Sequence, residues 1–107
     1  MISNLFTDIP ETLPDEFFEE ILTHSNVRIE RIVSRGHRSP EGFWYDQDWD
    51  EWILLVQGSA GLAFEGASAV VELIAGDHLL IQARKRHRVA WTAENEDTIW
   101  LAVHLVD

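Results

Sequence analysis

Cysteine is absent from the 107 residues. Disulfides, thiolate metal sites and a cysteine nucleophile are therefore excluded, and any metal would have to be held by oxygen and imidazole. Basic residues are scarce: 8 Lys and Arg stand against 19 Asp and Glu, a formal net charge of −11. A surface this negative repels phosphate backbones and anionic lipid, so neither nucleic acid nor membrane is expected as a partner. No apolar run approaches the roughly 20 residues of a membrane span. The opening MISNLFTDIPETLPDEFFEE has neither the basic start nor the apolar core of a secretory signal, and a cytoplasmic location is expected. Also missing are a glycine-rich phosphate loop, a Gly-x-Ser-x-Gly elbow and a His-Glu-x-x-His pair. The chain is long enough for one small domain and too short for two cores.

The charge that is present is unevenly placed. Residues 1–26 carry Asp8, Glu11, Asp15, Glu16, Glu19 and Glu20 with no Lys or Arg. The basic residues fall in two clusters, Arg28, Arg31, Arg35 and Arg38, then Arg84, Lys85, Arg86 and Arg88. The acidic segment reads either as a solvated helix or as a layer against a basic face of its own fold or of a partner subunit. With over half of the net charge in that segment, the remainder is only moderately acidic and its pocket need not repel an anion.

Pro14 to about Thr23 reads as a helix, with Pro14 at its first position, acidic residues in its first turn and Phe17, Phe18, Ile21 and Leu22 as an apolar stripe. From Val27 the pattern changes to short β-branched and aromatic runs near 27–34, 43–47, 51–57, 60–65, 69–74, 78–82, 87–93 and 98–105, separated by turn residues. This predicts an all-β fold, an antiparallel β-barrel or jelly roll over 27–107 preceded by an acidic helical extension over 1–26. Strand 51–57 is apolar on both faces, and five tryptophans (Trp44, Trp49, Trp52, Trp91, Trp100) exceed what a small core usually holds. A homodimer covering the outer face is expected.

Glu51 is followed by six residues and Gly58, which resembles the end of the first cupin motif, where two histidines one residue apart precede the glutamate by three or four residues. Gly76 to His87 resembles the second cupin motif, with Gln82 in place of its proline, Arg84 in place of its glycine and Trp91 where an asparagine often follows. The chain is thus similar to small single-domain cupins from about Val27 to Leu105.

The resemblance implies a divalent metal (Fe, Mn, Ni or Zn) with Glu51 and His87 in two of its four ligand places. The two histidines of the first motif are missing. Their places fall to Tyr45 and Gln47 in one register and to Trp44 and Asp46 in the other. In the first register the metal ligands are Gln47, Glu51 and His87, with Tyr45 and Glu51 as catalytic groups and Ile53, Leu55, Val89 and Trp91 as the apolar pocket wall. Asp46 is the harder ligand of the second register, and His37 is a candidate second imidazole. His78 reads as an exposed turn residue and His104 as an ordinary strand residue. Two functions follow: a metal-dependent small-molecule enzyme of oxygenase or isomerase type, or a metal-free small-molecule binding or sensing module in which the same residues form a hydrogen-bonded trio.

Overall fold

β-branched and aromatic residues recur through the chain in runs of four to eight between turn residues, and in the computed structural model, which describes residues 2–106, these runs become eight antiparallel strands. They are β1 (Phe17–His24), β2 (Val27–Ser34), β3 (Asp50–Gln57), β4 (Ser59–Phe64), β5 (Val71–Ile74), β6 (His78–Ile81), β7 (His87–Thr92) and β8 (Thr98–Leu105). Five form one sheet in the order β1-β2-β8-β3-β6, and three form a second in the order β5-β4-β7. Ile53, Leu55, Trp100 and Ala102 from the first sheet meet Ala60, Leu62 and Leu73 from the second, so the core lies between two facing sheets.

The helix expected from Pro14 to Thr23 does not form: residues 17–24 are the edge strand β1, paired with β2 from Phe17↔Val33 to His24↔Val27. The register shifts between Glu20 and Leu22, and that bulge breaks the two-residue alternation, which is why the apolar spacing imitates a helix. Phe and Ile favour strands, and the free edge of β2 offers hydrogen bonds that an isolated helix of this length would lack. Arg31, 2% exposed, adds side-chain anchors: its guanidinium lies 5.8 Å from the Phe17 ring centroid, and its Nε lies 2.9 Å from Glu19 Oε1, an ion-pair distance without hydrogen-bond alignment. The same guanidinium donates to the carbonyls of Leu5, Thr7 and Asp8. The N-terminal segment therefore does lie against a basic residue of its own fold, held largely through backbone oxygens.

The strand expected over 43–47 is reduced to one bridge, Tyr45↔His87. Gly58 is the point where the chain leaves the first sheet for the second. It has φ +90°, and a Cβ there would come within 2.8 Å of the Thr98 backbone. No helix long and apolar enough to cross a membrane occurs among the described residues.

Candidate functional site

Alternation along the strands decides which side chains enter the space between the sheets. On β3 the inward set starts with Glu51 and continues with Ile53 and Leu55. On β8 it is Trp100, Ala102 and His104, and on β2 it includes Glu30 and Ile32. β7 contributes His87 and Val89. At one end the packing leaves a cavity of about 70 Å³, lined also by Glu16, Phe18, Tyr45, Gln47, Leu62 and Ile81.

The Tyr45–His87 bridge brings the Gln47 loop beside β7. Tyr45 N donates to His87 O at 2.7 Å and His87 N donates to Tyr45 O at 3.1 Å, and the two rings stack with centroids 5.4 Å apart. Gln47 Nε2 donates to Glu51 Oε1 at 3.0 Å, and His87 Nε2 lies 4.0 Å from that oxygen. His87 Nδ1 lies 2.9 Å from the Lys85 carbonyl, which can only accept, so Nδ1 carries a proton and Nε2 is the nitrogen left for the cavity. His104 has the opposite arrangement. Its Nδ1 accepts from Trp49 Nε1 at 2.9 Å, so its Nε2 holds the proton and donates to Glu30 Oε1 at 2.8 Å.

Of the residues expected from the motifs, Tyr45, Gln47, Glu51, His87, Ile53 and Val89 line the cavity. Leu55 is wholly buried in the core, outside the lining. Trp91 lies over Gly61 of β4, where its indole occupies the space a Cβ would need. The first register is the one that reaches the site. Asp46 pairs instead with Arg84 and Arg86, and Trp44 is not in the lining. His37 is turned to its own loop, where its Nδ1 accepts from Arg35 N at 2.8 Å. His78 is exposed, as expected, and packs on Trp52. Arg84, which replaces the motif's glycine, keeps a left-handed φ of +66°.

The lining also holds residues that the motif spacing did not indicate: Ile32, Leu62 and Ile81 among the aliphatics, and Glu16, Phe18, Glu30, Trp100 and His104. Inward alternation on β8 was the available signal for His104 and Trp100. Glu30 enters through the pairing of β2 with β8, and Glu16 through the pairing of β1, which it precedes, with β2.

Burial, despite the hydroxyl hydrogen bond from Ser34 and the proximity of His37, raises the pKa of Glu16. Tyr45 is pushed up to about 12, first by burial and then by the charges of Glu16, Glu51 and Glu30. Its phenol therefore keeps its proton. Among the described residues no three His, Asp or Glu side chains are arranged to hold a metal ion. Two ligands at 90° to 110° around an ion with bonds of about 2.1 Å would stand roughly 3.0 to 3.4 Å apart. Glu51 and His87 are wider than that, at 4.0 Å, and Gln47 adds only a weak amide. The donor set does not fit the divalent ion the motifs imply.

No family model matches the chain, and no curated protein does. Among solved structures, a "putative mannose-6-phosphate isomerase" from Ralstonia eutropha JMP134 is 48% identical, with a TM-score of 0.94 over 100% of this chain and 99% of that one. A cupin superfamily protein from Desulfitobacterium hafniense DCB-2 has a TM-score of 0.74 at 19% identity, covering 92% of this chain and 84% of its own. A Klebsiella pneumoniae protein with a double-stranded β-helix domain has a TM-score of 0.78 at 14% identity, covering 98% and 89%. The last two share the fold.

Proposed function

The chain belongs to the cupin superfamily, and from that premise we propose that it is a small-molecule enzyme of isomerase type, moving a proton within its substrate by side-chain acid–base chemistry. The observation that carries this reading is the oriented His87 imidazole, whose Nε2 faces the cavity beside Glu51 and a phenol that retains its proton. In the proposed step Nε2 removes a proton from carbon next to a substrate carbonyl. Glu51 stabilises the imidazolium that forms, and the Tyr45 hydroxyl donates a hydrogen bond to the developing enolate oxygen. The proton of the hydroxyl on the deprotonated carbon then passes to the old carbonyl oxygen, so that the carbonyl re-forms on the other carbon, and the imidazolium delivers its proton to the old carbonyl carbon. The isomerase description of the Ralstonia eutropha protein, alike over its whole length, supports the reaction class.

Incubation with neutral and amino-substituted aldoses and ketoses in D2O, mannose among them, tests this. Deuterium is expected at the carbon next to the carbonyl, falling about 100-fold in His87→Asn and in Tyr45→Phe. Exchange that survives His87→Asn overturns the assignment. So does stoichiometric Fe, Mn, Ni or Zn whose chelation abolishes exchange, which would restore a metal on Gln47, Glu51 and His87. Saturable binding without exchange would instead identify a metal-free binding or sensing module.

We further propose that the protein is a homodimer joined through the outer face of the five-stranded sheet. Val27, Ile29, Trp52, Leu54, Leu80, Leu101, Val103 and Leu105 share that face by register, and none of them is fully buried.

A further inference from the structure

The cavity has an imbalance of charge. Glu16, Glu30 and Glu51 all line it, and no Lys or Arg does. Each carboxylate is satisfied by a neutral donor: the Ser34 hydroxyl for Glu16, the His104 Nε2–H for Glu30 and the Gln47 amide for Glu51. The tautomer set by Trp49 leaves His104 uncharged, so the Glu30 contact is a hydrogen bond without a counter-charge. Basic residues outside the lining make other contacts. Arg28 lies 5.7 Å from the Trp49 ring centroid, Arg84 and Arg86 pair with Asp46, and Lys85 lies over Phe64. Carboxylates drawn wholly or partly out of water, as Glu51 is wholly and Glu16 and Glu30 partly, are normally matched by a cation, and no Lys or Arg lines this cavity. The raised pKa of Tyr45 agrees with a negative potential there.

Two further features bear on the occupant. Phe18, Tyr45 and Trp100 place aromatic rings in the wall, the surface that attracts an ammonium group. Trp100, 4% exposed and on the inward side of β8, has an indole N–H with no hydrogen-bond partner. That donor requires an acceptor atom. A volume of about 70 Å³ holds roughly five water-sized groups, since each needs on the order of 10–15 Å³.

We infer that the cavity takes the protonated amine end of a small amine that also carries a hydroxyl or carbonyl oxygen, and that it disfavours phosphorylated and carboxylated molecules. The inference rests on the reading of the cavity as a small-molecule site and adds the charge of its ligand. The ammonium sits among Glu16, Glu30 and Glu51, and the oxygen accepts from Trp100.

The test uses three probes of equal length, 3-aminopropanol, 1,3-propanediol and 3-hydroxypropionate, titrated into the ¹⁵N-labelled full chain. The assigned Trp100 indole and the amides of Tyr45, Glu51 and His87 are followed by NMR. The amine is expected to shift these resonances saturably and at least ten-fold more tightly than the diol, with the acid causing no shift. Glu30→Gln and Glu51→Gln should each weaken the amine at least five-fold, the dispersed β-sheet amides of the same spectra verifying the fold. Diol or acid binding as tightly as the amine overturns the charge assignment and leaves the small-molecule site standing. If none of the three moves the cavity resonances, both the inference and the site reading fail.

Discussion

Glu16 shows how one residue is set by its surroundings rather than by its own chemistry. Burial dominates its environment and raises its pKa, although Ser34 donates a hydrogen bond to it. Because the folded pKa lies above the ordinary carboxyl value, the charged form is disfavoured in the native state. The associated stability is full at pH below that ordinary value and is lost as pH rises through the folded pKa. Glu16→Gln keeps an acceptor for Ser34 and cannot ionise. Its melting temperature relative to the parent should therefore be little changed near pH 4 and higher near pH 7.5, by scanning fluorimetry. A pH-independent difference would mean that Glu16 is not held in an unfavourable charged state. Tyr45, Gln47, Glu51 and His87 were legible as cavity-lining residues because they sit at motif spacings within or beside two strands. Glu30 and His104, 74 residues apart and 2.8 Å from each other, were not. Their meeting depends on the pairing of β2 with β8.

Two elements decide where the site's walls stand. Gly58 turns the chain from β3 into β4 with φ +90° against the Thr98 backbone, so an added Cβ meets both torsional strain and main-chain atoms. Gly58→Ala should cost about 1–3 kcal/mol or more in urea denaturation. The edge strand β1 brings Phe18 to the cavity and directly follows Glu16, and it is tied down through Arg31. Arg31→Met would leave Glu19 and the carbonyls of Leu5, Thr7 and Asp8 without their guanidinium, a loss of about 2 kcal/mol. Proteolysis within residues 2–13 should accelerate while the β3–β8 core stays protected from hydrogen exchange. Uniform loss of protection would show that the N-terminal layer and the core unfold together. The helix expectation failed at this scale because a bulge, visible only against a partner strand, gives strand residues a helical spacing.

For the molecule as a whole, the partly exposed apolar face of the five-stranded sheet is the feature that calls for a second copy. Light scattering should return twice the 12.3 kDa chain mass. Trp52→Lys together with Val103→Lys should halve that mass while the barrel stays folded. A monomeric parent would refute the interface. The net charge of −11 acquires a different meaning at this scale. Its distribution along the chain suggested a pocket indifferent to anions, yet Glu16, from the acidic N-terminal segment, joins Glu30 and Glu51 in one cavity. By itself the sequence determined the all-β class, most strand positions, the absence of thiol chemistry and the placement of Glu51 and His87. These depend on local alternation, composition and spacing, which a linear chain carries. The tertiary structure alone decided that β1 is a strand, that Tyr45 and Gln47 rather than Trp44 and Asp46 face inward, and that three carboxylates share a cavity. Those outcomes depend on strand register, where a slip of one residue sends a side chain to the opposite face, and register exists only once strands have partners.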